Sequence, residues 1–219
     1  MEIRPRAELR HGFKDLIASN EKSAFFVEQR SRLNLLFQNE KFSTSIKLQD
    51  IRIWGETGQI NKSDNLFSVH EAWAQYAFNK KLSVRVGRQE LVYDDHRILG
   101  NLEWAAQARS HDVLKLIYFD SVWTLHAAVA YNQNSNIPEP AKLTDNFYTA
   151  PGGFTQVGGG LPNYKYMQMF WADRTWNRFY TSFLFLNTGW QMPDTTINNM
   201  ATTGINPAFT ISKKLKVQG

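Results

Sequence analysis

Polar and apolar side chains alternate at every second position through segment after segment of this chain. In "EIRPRAELR" (residues 2–10), Glu2, Arg4, Arg6, Glu8 and Arg10 fall on one side, and Ile3, Pro5, Ala7 and Leu9 on the other. At 3.6 residues per turn a helix would scatter these charges, whereas a strand collects them on one face. Taken alone, such a face suits bulk water as well as anything else, so the rest of the chain has to decide.

The pattern recurs. Glu28, Arg30, Arg32 and Asn34 oppose Ser31, Leu33, Leu35 and Phe37, and Lys47 and Gln49 oppose Thr44, Ile46 and Leu48. Glu71, Trp73 and Gln75 oppose Ala72, Ala74, Tyr76 and Phe78, and Ser83, Arg85 and Gln89 oppose Leu82, Val84 and Val86. Further on, Arg109 and Lys115 oppose Leu114, Leu116 and Tyr118, and Thr124 and His126 oppose Trp123, Leu125, Val129 and Tyr131. These read as strands of roughly 8 to 14 residues, the length that crosses a bilayer obliquely. Three stretches fit less well. "LQDIRIWG" changes parity near Asp50, as at a bulge or a strand end projecting past a membrane. "RFYTSFLFLN" is apolar on both faces, and "MATTGINPAFTIS" carries Pro207 inside a strand-like run.

The connections sort by length. Short polar turns at 39–41, 79–81, 119–121, 173–177 and 212–214 alternate with long links at 12–23, 55–67, 93–101, 132–163 and 188–199. Tight turns at one end and long loops at the other are the pattern of an outer-membrane barrel; a soluble sandwich has no reason to sort its loops. The fold expected is therefore all-β, a single domain over residues 1–219 forming an antiparallel transmembrane β-barrel of the outer membrane. The apolar face then meets lipid, where each charge costs about 2–4 kcal/mol near the midplane. The charged face lines a lumen. Trp54, Tyr118, Trp123, Tyr131 and Trp171, near strand ends, suit interfacial girdles or ordinary packing alike.

Composition removes other classes. The chain has no cysteine, which excludes disulfides, thiolate metal sites and cysteine nucleophiles. It has no run of 18 apolar residues for a membrane helix, and Met1 leads straight into a strand-like segment without a signal peptide. A net charge of +5 points to an anionic partner. On the clear strands the lumen carries Arg4, Arg6, Arg10, Arg30, Arg32, Lys47, Arg85, Arg109 and Lys115 against Glu2, Glu8, Glu28 and Glu71, nine bases to four acids. Such a wall concentrates anions, and arginine keeps its charge and pairs bidentately with carboxylates. The plainer reading is that Glu8 and Glu28 brace neighbouring arginines. Arg52, Arg88 and Glu90 stand where the alternation shifts and join Glu71 as secondary lumen candidates.

No catalytic motif emerges. His70–Glu71 and His111–Asp112 are sequence neighbours, so in a regular strand each pair points to opposite faces. Asp94, Asp95, His96 and Arg97 read as a hydrogen-bonded loop anchor rather than a metal site, and no cofactor or nucleic-acid partner is expected. The long 132–163 link is a candidate to fold inward and narrow the pore.

"EIRPRAELRHGF", "LQDIRIWGE", "HEAWAQYAF", "VGRQELVYDDHRILGN" and "WAAQARSHDVLKL" together resemble the bacterial alginate export family. The resemblance spans nearly the whole chain and is most specific in "GRQELVYDD" and "QARSHD". It implies a monomeric eighteen-stranded outer-membrane barrel with an arginine-rich lumen that passively passes an anionic polysaccharide. About ten strands fit in 219 residues, with "KKLKVQG" as the start of an eleventh, so the expectation is a fragment of such a barrel, or else a complete ten-stranded one. Sharing the domain does not make alginate the substrate. A porin for small carboxylates is the nearest competing reading. A barrel-borne hydrolase and a soluble sugar-binding sandwich are more distant ones.

Overall fold

The structure is a computed structural model that describes residues 1–12, 22–60, 66–132, 164–191, 196–212 and 215–218. These residues form strands and connections only. The strands are β1 (Glu2–Arg10), β2 (Ala24–Gln38), β3 (Phe42–Ile53), β4 (Phe67–Ala77), β5 (Leu82–Gln89) and β6 (His111–Phe119). They continue with β7 (Trp123–Tyr131), β8 (Tyr166–Trp176), β9 (Phe179–Gln191), β10 (Ile197–Ser212) and β11 (Leu215–Gln218). All eleven lie in one sheet in strict sequence order, each beside its neighbours in the chain. Up-and-down order follows from the connections, since a short turn can join only antiparallel neighbours.

The short turns share a device. Asn39 Oδ1 accepts the backbone N–H groups of Lys41 and Phe42, and Asn79 Oδ1 those of Lys81 and Leu82. Asp120 Oδ1 accepts those of Val122 and Trp123. One short side-chain acceptor thus satisfies two turn donors that no strand can reach. These two N–H groups and the Tyr118 hydroxyl hold the Asp120 carboxyl down at about 2.

Some expected boundaries move. The 93–101 link runs from 90 to 110, so Arg109 precedes β6 rather than opening it. The turn placed at 173–177 shrinks to 177–178, because Asp173–Trp176 pair with Trp123–Thr124 or Phe179–Ser182 as strand. The 188–199 link shortens to 192–196, and β10 runs through Pro207, which sits opposite Thr181. The expected eleventh strand is present as Leu215–Gln218. The 132–163 link lies almost wholly outside the described residues.

Side-chain exposure is inverted relative to a soluble protein. On β2, Arg30 and Arg32 are 2% and 5% exposed, while Leu33, Leu35 and Phe37 on the other face are about half exposed. β1 behaves the same way, with Ile3 and Leu9 open and the charged residues half-buried. Lys115, Ser83 and Gln89 are buried while Leu114, Leu116 and Val86 are exposed. A sheet that hides charge and shows leucine is built for an apolar surround.

The chain divides into two compact units, one of residues 1–38, 43–73 and 88–110 and the other of residues 39–42, 74–87 and 111–219. In the second unit the face that carries Lys115 turns apolar across the register: Lys115 stands opposite Ala128, Ala128 opposite Met169, and Met169 opposite Leu186. Trp171 lies on this buried face against the His126 ring, centroids 5.3 Å apart, so it is no girdle residue. Trp123 and Trp176 stand half-exposed at strand ends there, with the Arg174 guanidinium over both rings at 4.9 and 4.2 Å. Gly189 is required by packing: it pairs with Tyr166, whose ring covers it and whose hydroxyl bonds Asn199. A methyl at Gly189 would run into that ring. Gly189→Ala is expected to swing Tyr166 away and destabilise the β8–β9–β10 region by about 1–3 kcal/mol, read as an earlier loss of heat-modifiable migration on a gel.

Candidate functional site

The charged face of β1–β4 carries the chemistry, and its register dictates which groups meet. Arg4 stands opposite Arg30 and Arg6 opposite Glu28, while Arg32 stands between Glu2 and Gln49. Like charges directly opposed destabilise a sheet unless acids are inserted among them. Four of the acids come from the strands. Glu28 and Glu8 lie 2.6 and 2.7 Å from Arg6, Glu8 also takes Arg10, and Glu2 takes Arg30 at 2.6 Å. Glu8 and Glu28 therefore brace arginines, as the plainer reading expected. Glu71 completes the set with Lys47 at 2.7 Å.

The remaining acids come from the 90–110 loop, which lies across the face. Glu103 bridges two guanidiniums, with Oε2 at 2.6 Å from Arg30 and Oε1 at 2.7 Å from Arg32. The loop backbone does the rest. Arg4 donates to the carbonyls of Glu103 (2.8 Å) and Ala105 (3.3 Å), and Arg6 to that of Trp104 (2.8 Å). Arg30 donates to the carbonyl of Ala106 and Gln49 to that of Gln107, both at 3.3 Å. Ala105 and Ala106 are buried, their size permitting the close approach. At the other end of the loop, Glu90 meets His70 Nε2 at 2.7 Å, Lys47 at 3.3 Å and Asn101 at 2.8 Å, and its own N–H donates to Glu71.

The parity of exposure switches between Val69 and Ala72, so His70 and Glu71 both reach Glu90. The expectation that these sequence neighbours could not act at one place is corrected here: it assumed an unbroken alternation. Burial opposes ionisation of Glu103, but the hydrogen bonds and charges of Arg32 and Arg30 outweigh it and hold the carboxyl below its usual range. Burial likewise opposes ionisation of Glu90, yet hydrogen bonds from His70 and Asn101 and the Lys47 charge bring it to about 2.

The tally of nine bases against four acids therefore changes. Arg4, Arg6, Arg10, Arg30, Arg32 and Lys47 face Glu2, Glu8, Glu28, Glu71, Glu90 and Glu103, six against six. On this face the strands alone give six bases to four acids, and Glu90 and Glu103 of the loop supply the other two; Arg85, Arg109 and Lys115 of the wider tally are not counted in it. One secondary candidate leaves the face altogether. The β2–β3 register is continuous, without the bulge envisaged near Asp50, so Arg52 falls opposite Gln29 on the far face and pairs with Asp50. Arg88 has the parity of Val84 and Val86. In the other unit, Arg85 donates to Gln75 at 2.8 Å, and Lys115 is buried.

His70, Glu90 and Glu103 bring ligand atoms within 4.8 Å of one another. Lys47, Arg30 and Arg32 already press on those carboxylates, which makes the place hostile to a cation. In the Asp94–Arg97 stretch, Arg97 pairs with Asp95 at 2.7 Å, and Asp94 and His96 hold left-handed backbone with φ of 53° and 65°.

Glu103 and His70 are the members of this charged cluster that alternation alone did not single out. Glu103 is the one acid in "NLEWAAQARS", two residues before the Ala105–Ala106 pair, and that combination was the available signal.

Comparison with curated proteins finds no match. A family model described as "Alginate export" matches residues 1–181. With that match over most of an all-strand, antiparallel, inside-out sheet, the chain belongs to the alginate export family, a family of outer-membrane β-barrel transport proteins.

Proposed function

We propose that the protein is a passive outer-membrane channel for anionic polysaccharide, acting as a single barrel in lipid, with the charged face of β1–β4 as part of its lumen wall. The observation that carries this reading is the inverted exposure of β1 and β2: arginines buried, leucines and phenylalanines open. Only a protein with lipid outside and a polar interior gains from that arrangement. Arginines braced by acids keep their positions without being fully neutralised, and many moderate contacts suit a polymer that must also leave.

One observation favours a second reading, a pore for small carboxylates. The 90–110 loop covers part of the charged face, and a local constriction with a few paired arginines selects small solutes better than long chains. Reversal potential in a planar bilayer under a salt gradient, followed by polyuronate on one side, separates them. Anion preference with polymer-dependent block supports polysaccharide passage. Anion preference without block supports the small-carboxylate pore, and cation preference rejects both.

A further inference from the structure

The Glu103 carboxylate has the placement of a bound ligand. It reaches out from a loop and sets one oxygen on each of two buried guanidiniums, Arg30 at 2.6 Å and Arg32 at 2.7 Å. Each guanidinium also has another partner on the sheet: Arg30 pairs with Glu2, and Arg32 donates to Gln49 Oε1 at 3.0 Å. Each therefore keeps a partner when Glu103 leaves. Arg32 Nη2, moreover, is buried and has no hydrogen-bond partner among the described residues. A carboxylate seated on Arg32 alone would use Nη1 and Nη2 together, the bidentate fork that guanidinium favours. Glu103, shared between two arginines, uses only one of them.

We propose that Arg30 and Arg32 form a carboxylate-binding subsite which Glu103 fills as an internal stand-in, and that the carboxylates of a polyuronate displace Glu103 and lift the 90–110 loop. The inference rests on the channel reading above and adds to it the place where the polymer first competes. Glu90 is held by His70 and Lys47 at the far end of the loop, and around Glu103 itself the other contacts are main-chain carbonyls receiving Arg4, Arg6, Arg30 and Gln49, several of them at 3.3 Å. Glu103 is thus the charged latch among neutral contacts, and charge-assisted bonds are about twice as strong as neutral ones. Being tethered, Glu103 competes at an effective concentration in the millimolar range, which a single free uronate does not exceed. A polymer presenting many carboxylates does.

The absence of cysteine allows a single nitroxide at Gln107→Cys, whose side chain is exposed on the loop. Spectra are recorded on the folded protein in detergent, with heat-modifiable migration as the check on folding. Adding a polymannuronate is expected to mobilise the label, whereas equal carboxylate as monomeric glucuronate, or a neutral glucan, leaves it immobile. Glu103→Gln is expected to mobilise the label without polymer and to tighten half-saturation for polyuronate about tenfold; Glu103→Asp restores part of the latch. Arg32→Gln should weaken polymer binding while leaving the Arg30 contact in place. A label that stays immobile under polymer that still blocks current overturns the latch and leaves the channel standing. If polymer neither blocks current nor moves the label, the channel reading falls and the latch with it.

Discussion

Arg30→Ala is expected to be the most damaging single substitution in the first unit, lowering the stability of the folded sheet by about 1–3 kcal/mol. Arg30 is 2% exposed and holds Glu2, Glu103 and the carbonyl of Ala106 together. Its removal leaves Glu2 without its ion pair, Glu103 on Arg32 alone and the Ala106 carbonyl without its donor, while the two carboxylates, about two-fifths exposed, regain water. Leu35→Ala on the same strand, at a site more than half exposed, is expected to cost under about 1 kcal/mol. In a soluble protein that ranking would be reversed. Urea or heat titration followed by gel migration measures both. The pH response has a definite sign as well. The Glu103 carboxyl is depressed below its ordinary 4.5, so its contribution is fully present above that value and is lost as pH falls through the folded-state value. In Arg30→Ala the loop is expected to detach at a higher pH than in the parent.

Replacing residues 94–107 with a short Gly-Ser turn is the second large effect. β5 and β6 are neighbours in the sheet, so a short turn can span them. The excision removes Glu103 and the five backbone carbonyls that cover Arg4, Arg6, Arg30 and Gln49. The paired face then has six bases against five acids. Single-channel conductance is expected to rise several-fold and the reversal potential to move toward anions. An unchanged conductance would mean that ions do not pass along this face at all.

The strands were legible because a sheet with lipid on one side and charge on the other writes a period-two record into every segment that crosses. Where both faces of a strand are apolar, as with Leu184 and Leu186 beside Phe183 and Phe185, the record blurs, and the burial of Met167, Met169 and Trp171 had no charged counterpart to mark it. Arg52 was misplaced for the opposite reason: its strand is regular, and it is the residues that change character, with Ile51 and Ile53 on the charged side. The covering loop was the least legible part. Its hold on the sheet runs mainly through carbonyls of residues 103–107, and a carbonyl is the same in every residue, so spacing and composition carry no trace of it. Only Glu103 and, at the other end, Glu90 give the arrangement a side chain.

The Asx turns at Asn39, Asn79 and Asp120 have a consequence for how such a sheet is assembled and how it changes in descent. Each turn closes on its own side chain within three residues, so a hairpin can zip from its turn before any distant strand arrives, at the microsecond pace of local hairpin formation. The natural increment of insertion is then a pair of strands carrying its own nucleus. A duplication or deletion of one such pair leaves every other nucleus intact, which gives this architecture a ready route to barrels of different even strand number.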